Sequence, residues 1–267
     1  MTSRPIRIGV QIAPQHAGYP VLRDTVRRME DLGVDLIMGW DHFFPLTGDA
    51  DGAHFEAFTV LAAMAEQTSR VEFGPLVAAA PFRNPDLVAD MARTIDHISA
   101  HDTGTGRFIL GLGAGWNERD FAEYGYEFGT DGSRLTALER AVPRIRRRLG
   151  RLNPAPTRRI PILIGGGGER RTLRVVAEHA DIWHAFGDAD TLAHKIAVLE
   201  EHCRAVGRDP NEIEYSTGTS VRGLGVGDVE TAERFVELGF TTFIAAITPP
   251  ELDDTALRAL LRWRDTR

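Results

Sequence analysis

The chain of 267 residues carries 43% hydrophobic and 26% charged residues, values of a folded globular protein with a large core rather than a disordered segment. Its formal net charge of −7 argues against a duplex nucleic-acid partner, which needs a basic face to neutralise phosphates. Cys203 is the only cysteine, residues 1–18 lack the apolar centre of a signal peptide, and no apolar run approaches a membrane span, so neither disulfide nor bilayer is expected and the cytoplasm is the expected compartment.

Ile6 to Ile12 is rich in β-branched residues and reads as a first buried strand, followed by a polar loop through Gln15, His16 and Gly18. A helix is expected from Val21 to Leu32, with Leu22, Val26 and Met29 facing inward and Gly33 as its stop. Asp35 to Trp40 forms a second strand, Asp41 to Gly52 a loop, His54 to Thr68 a helix and Val71 to Ala79 a third strand. Asn84-Pro-Asp opens the next helix, whose apolar stripe is Leu87, Val88, Met91 and Ile95. Arg107 to Leu112 is strand four. A long connection through Trp116, Tyr124 and Tyr126 leads to a helix from Ser133 to Leu149, which Asn153-Pro-Ala-Pro breaks. Arg144 to Arg151 reads as the wet face of that helix, with Ile145 and Leu149 on the buried side.

Pro161 to Ile164 is a short apolar run of the kind that forms a buried parallel strand, and Gly165 to Gly168 precede a helix expected from Glu169 to His179. Such glycines either cradle an anion at a helix N-terminus or form a merely flexible connection. Asp181 to Phe186 is strand six, Thr191 to Val206 a helix with Cys203 on its inner face, and Glu212 to Thr217 strand seven. Asp228 caps a helix to Leu238, Phe240 to Ala246 is strand eight, and Glu251 to Trp263 closes the chain. Eight strands alternating with helices is the count of a (β/α)8 TIM-type barrel, an α/β fold occupying residues 1–267 as one domain. A doubly wound open sheet would need fewer strands at this length.

In a barrel, chemistry gathers at the carboxyl ends of the strands. Asp41-His42 stands at one of them, either as an ionisable pair in which the imidazole moves a proton or as a capping Asp beside a packed His. Neighbours on an extended chain point in opposite directions, so the two need not touch. A metal site is disfavoured: Gln11-Ile12-Ala13 follows strand one where barrel hydrolases carry His-x-His, and His97 and His101 sit at a helix C-terminus where they answer the dipole. Gly111-Leu-Gly-Ala-Gly115 departs from the dinucleotide fingerprint and gives either a bare backbone for a flat ring or tight loop packing.

Asp41-His42-Phe43, Leu76-Val-Ala-Ala-Ala-Pro-Phe-Arg-Asn-Pro85, Arg107-Phe-Ile-Leu-Gly-Leu-Gly-Ala-Gly-Trp116 and Ile162-Leu-Ile-Gly-Gly-Gly-Gly168 together resemble the bacterial luciferase-like superfamily. The resemblance spans nearly the whole chain and is nearer to the oxidoreductases that use the deazaflavin coenzyme F420 than to the FMN-using monooxygenases. It implies hydride transfer between deazaflavin C5 and an organic small molecule. It also implies roles for residues: His42 as proton donor or acceptor with Asp41 beside it, and a non-prolyl cis bond at Leu76-Val77 that backs the ring. Ala79 would lie beside the pyrimidine, Gly113, Trp116, Asn117 and Glu118 near the ring or side chain, and Gly166, Gly167 and Gly168 at the phosphate. The alternatives are an FMN-dependent monooxygenase, a flavin-binding barrel without turnover and, least favoured, a metal hydrolase. A homodimer is an open expectation. The strand-three segment has alanines where relatives carry a hydroxyl residue, and the chain is short for the superfamily, so substrate specificity is not transferred.

Overall fold

The computed structural model describes residues 4–218, 229–249 and 254–267. The chain begins with β1 (Arg7–Ile12), α1 (Tyr19–Asp31), β2 (Leu36–Gly39) and α2 (Ala57–Gln67), followed by β3 (Glu72–Pro75), β4 (Ala78–Ala79) and α3 (Pro85–Ile98). Then come β5 (Leu110–Gly113), α4 (Glu118–Glu123), α5 (Asp131–Leu149), β6 (Ile162–Gly165) and α6 (Thr172–His179). The last units are β7 (Ile182–Ala185), α7 (Ala189–Val206), β8 (Glu214–Gly218), α8 (Val229–Glu237), β9 (Phe240–Ile247) and α9 (Thr255–Asp265).

Among the described residues one parallel sheet of nine strands runs in the order β3-β2-β1-β9-β8-β7-β6-β5-β4 and curls into a nearly closed barrel with the helices outside it. The ninth strand comes from a division of the expected third one. Its halves, β3 and β4, flank Leu76 and Val77, whose peptide bond is cis as expected. The first half pairs with β2 and the second with β5. The ring closes where Phe73 bridges Phe108 in parallel and the Ile109 N–H donates to the Phe73 carbonyl at 2.8 Å.

Strand alternation sorts the side chains into two cores. Ile8, Val10 and Ile12 face outward into the layer shared with Leu22, Val26 and Met29 of α1. Leu36, Met38, Leu76, Ile109, Leu163, Ile182 and Ile244 fill the barrel interior. At the amino ends of the strands Arg7 joins Glu72 at 2.6 Å and Glu214 at 2.7 Å, tying three strands across the floor. The buried Arg107 guanidinium donates to the carbonyls of Ala65, Thr68 and Val71, a cation at the carboxyl end of α2 where the helix dipole favours it.

Several local expectations shift. Leu87 is 53% exposed, because the buried face of α3 runs through Val88, Ala89, Ala92 and Ile95 and leaves Leu87 to one side. The long connection contains the short helix α4. The helix after the glycines begins at Thr172 rather than Glu169, and α5 begins at Asp131, where Thr130 and Ser133 form a reciprocal cap. Ile145 and Leu149 are buried while Arg144 and Arg148 pair with Asp86 and Asp90 on the surface. Cys203 is buried, and burial pushes its thiol pKa up. Asp228 and Glu251 lie outside the described residues. Among the described residues no helix is long and apolar enough to cross a membrane.

Candidate active site at the carboxyl ends of the strands

Asp41 and His42 leave β2 in different directions. The Asp41 carboxylate is buried and accepts both Arg83 nitrogens, at 2.6 and 2.8 Å, together with the Ala79 N–H at 3.1 Å. Arg83 also reaches Glu56 at 2.8 Å, the residue that caps α2. This bidentate pair fixes β4 against the end of β2. Asp41 therefore pairs with Arg83 rather than with His42, as opposite directions on an extended chain allow, and it does not cap a helix.

The carboxylate on the imidazole is Asp120, a residue that sequence reasoning missed. Asp120 Oδ2 lies 2.5 Å from His42 Nδ1 and accepts the Asn117 amide at 3.1 Å, while Oδ1 accepts the Phe43 N–H at 2.9 Å. Burial pushes the Asp120 carboxyl up, but the hydrogen bonds from His42, Phe43 and Asn117 outweigh it and leave the pKa lowered. Ionised Asp120 fixes Nδ1 of His42 as the donor, which leaves Nε2 as the nitrogen for proton exchange. Glu118, one of the expected contacts, is exposed at the first position of α4, whereas Asp120 two residues later is buried.

Two indoles flank the imidazole edge-on, Trp40 with centroids 5.9 Å away and Trp116 at 5.6 Å. Trp40 in turn donates its N–H to His54 Nε2 at 3.0 Å. Burial, reinforced by the charge of His42, pushes His54 down to about 4, so this ring stays neutral and accepts.

The floor of the mouth is Val77. A Cβ on Gly113 would lie 2.5 Å from Val77 Cγ2, and one on Gly165 would lie 2.9 Å from Val77 Cγ1. These two glycines thus make room for the Val77 side chain, and Gly113 meets the mouth through Val77 rather than as bare backbone. Gln11 holds the adjacent Leu76 carbonyl at 2.7 Å from within the barrel.

Beyond β6 the glycine loop opens onto a cavity of about 460 Å³ lined by Leu135, Gly167, Gly168, Glu169, Arg170, Arg171, Thr172 and Lys195. Gly166 is already engaged: its N–H donates to His184 O at 2.9 Å and its carbonyl accepts the Trp183 indole at 2.8 Å. A Cβ on Gly168 would stand 2.8 Å from Thr172 Oγ1, and one on Gly167 would stand 3.1 Å from Lys195 Cε. Lys195 Nζ reaches the Gly167 carbonyl at 2.7 Å and Glu169 at 3.4 Å. Arg171 is held by Glu139 and Thr136.

His184, at a strand end but not among the expected site residues, lies buried on β7. Its Nδ1 is 2.9 Å from Ser216 Oγ, its Nε2 has no partner, and burial pushes its pKa down to about 4. Among the described residues no cluster of three or more His, Cys, Asp or Glu side chains has the arrangement of a metal site; His97 instead meets the Ala155 carbonyl at 2.8 Å.

A sequence profile of the luciferase-like monooxygenases matches residues 2–222. Over 142 residues the chain is 33% identical to the F420-dependent glucose-6-phosphate dehydrogenase of Kribbella flavida, a match covering 53% of this chain and 41% of that protein. Among solved structures, an F420-dependent secondary alcohol dehydrogenase in complex with an F420–acetone adduct superposes with a TM-score of 0.80 at 18% identity, covering 97% of this chain and 98% of that one. The coenzyme F420-dependent tetrahydromethanopterin reductase of Methanopyrus kandleri superposes with a TM-score of 0.74 at 17% identity, covering 96% and 97%. At these identities the two superpositions concern the fold.

Proposed function

The chain belongs to the luciferase-like monooxygenase family, and from that membership we propose that it is an F420-dependent oxidoreductase acting on an organic small molecule, with His42 as its proton partner. The observation that carries the reading is the 2.5 Å contact between His42 Nδ1 and Asp120, which holds the imidazole in one orientation with Nε2 left for a substrate. The relative from Kribbella flavida uses F420 by name, which supports the choice of coenzyme.

The residues fit such a coenzyme. The cavity beside Gly167 and Gly168 combines backbone that lacks Cβ atoms with Arg170 and Lys195, the donor set for a phosphate at the start of α6. Glu169 also lines it but already faces Lys195 and His194. Leu76, Val77 and Ala79 would back the ring, and Trp116 and Asn117 would border it. When bound, the deazaflavin supplies an obligate two-electron hydride centre at C5. The protein's own part is to hold Val77 beneath the ring, to seat the phosphate and to exchange a proton at His42 Nε2.

Titration of the purified protein with oxidised F420, FMN and FAD tests the coenzyme, with F420 expected to bind most tightly. His42→Ala should keep that affinity within a few-fold and slow turnover by roughly 10²- to 10⁴-fold, the range of general acid–base groups. Preferential binding of FMN, with rapid oxygen consumption by the reduced complex, would replace this reading by a monooxygenase.

A further inference from the structure

Trp40 stands between two imidazoles. Its ring meets His42 edge-on with centroids 5.9 Å apart, and its indole N–H donates to His54 Nε2 at 3.0 Å. His54 owes its place to the chain around it and not to the indole. It bridges Gln15 in antiparallel fashion, while the His16 N–H donates to the Ala53 carbonyl at 2.8 Å and the Phe55 N–H to the Pro14 carbonyl at 3.0 Å. Gln15 is itself buried and ties down the loop after β2, donating to Thr47 at 2.7 Å and accepting the Leu46 N–H at 2.9 Å. The connections after β1 and β2 are thus zipped together, and His54 is presented to Trp40 from a fixed platform.

The two imidazoles have opposite proton requirements. An indole is a donor only, so its bond occupies the Nε2 lone pair of His54; an imidazolium has no such lone pair and would set N–H against N–H. His42 is built the other way, since ionised Asp120 accepts from Nδ1 and remains paired when Nε2 takes a proton. The groups whose charge reaches His54 are His42, Asp120 and His16. Burial holds its pKa down to about 4, the His42 charge acts in the same sense, Asp120 opposes both, and His16 lowers it again. Glu56, two residues on, is turned to Arg83.

We infer that Trp40 and His54 are positioning residues that reserve the imidazole proton of the mouth for His42: the indole locks His54 as a neutral acceptor, so a proton entering beside Asp120 is taken by one ring alone. A neighbouring imidazolium would repel that charge, most strongly where water is excluded. Trp40 thereby does for His54 what Asp120 does for His42, fixing which nitrogen carries hydrogen. The consequence for turnover rests on the reading of His42 as the proton partner; the assignment of charge does not.

Imidazole NMR of the coenzyme-free protein, titrated from pH 8 to 4, tests this in the parent, Trp40→Phe, His54→Gln and the double variant. In the parent, His54 should stay neutral, with hydrogen on Nδ1, until the pH nears 4. Trp40→Phe keeps an aromatic edge beside His42 but removes the donor. His54 should then titrate about one unit higher, the worth of the lost hydrogen bond, and His42 should protonate over a lower pH range than in the parent. Adding His54→Gln to Trp40→Phe removes the competing imidazole and should return the His42 titration to its parental range, a rescue that loss of packing would not give. An unmoved His54 in Trp40→Phe, or a His42 curve that the double variant fails to restore, would overturn the inference. With F420 bound, the acid limb of turnover should follow the His42 curve through the four proteins. The expected NMR changes without any F420 binding would remove the coenzyme reading and leave this assignment of charge in place.

Discussion

Asp41 and His42 are adjacent in the chain, yet each answers to a carboxylate or guanidinium far from the other: Arg83 for Asp41 and Asp120 for His42. Two substitutions separate their roles. Asp120→Asn removes the charge that holds the His42 tautomer, and its loss of turnover should approach that of His42→Ala, while F420 affinity stays within a few-fold. Asp41→Asn should instead lower stability by about 1–3 kcal/mol, the cost of weakening a buried charged hydrogen bond, with denaturant midpoints as the readout. Equal kinetic defects and unchanged stability in both variants would contradict this division. Histidine 42 was legible because an ionisable residue at a strand end is unusual; Asp120 was not, since its partner lies 78 residues away and its own neighbours on α4 give no pattern. Two other histidines make stability depend on acid. His54 and His184 are held to about 4, below the ordinary value of 6.5, so between pH 6.5 and 4 the unfolded chain binds protons that the folded one refuses. Stability is therefore complete above that window and falls as pH descends through it. His54→Gln, which keeps an acceptor for the Trp40 indole, should make the fall shallower in urea titrations from pH 7 to 4; an unaltered slope would assign the acid sensitivity elsewhere.

At the scale of elements, the interruption between β3 and β4 positions the floor of the site. Its cis bond and its place at Leu76-Val77 were legible through the family resemblance, whereas the strand's division into two pieces with different partners depends on pairing that no local pattern records. The glycine runs at β5 and β6 were legible as special positions, but the reason for Gly113 and Gly165, which end those strands, lies between β3 and β4: Val77 occupies the space their missing side chains leave. Gly113→Ala should therefore cost about 1–3 kcal/mol through overpacking and should weaken F420 binding by displacing the floor. Val77→Ala removes the collision, so the double variant should recover stability relative to Gly113→Ala alone. Additive losses in the double-mutant cycle would show that the two positions do not meet. Helix α4 escaped the sequence because Glu118–Glu123 spans only 6 residues, too few for a periodic stripe to declare itself. The later start of α6 has a different cause: the glycine loop and the turn after it take the residues that helical propensity would have assigned to the first turn.

For the whole molecule, the alternation of apolar runs with amphipathic stretches was sufficient to identify eight β/α units and hence a barrel, because each unit is local and its punctuation by glycine is explicit. What alternation does not encode is how firmly each pair of neighbours is joined. β1 and β9 pair over six residues and β1 and β2 over four, but β4 and β5 share two rungs, and below them closure rests on the Phe73–Phe108 bridge. The ring is thus a belt fastened by a short buckle, and the buckle sits directly beneath the face that carries Asp41, Ala79 and Val77. Local opening follows the least protected ladder, so the Ile109 amide, bonded to Phe73 across this closure, should exchange with solvent deuterons sooner than the Val10 amide inside the doubly paired β1. Equal protection at the two would mean that the barrel opens only as a unit. Otherwise the mouth can breathe while the opposite wall remains intact, and a ligand bridging the floor and the glycine loop would act as a clasp, slowing exchange at Ile109 far more than at Val10.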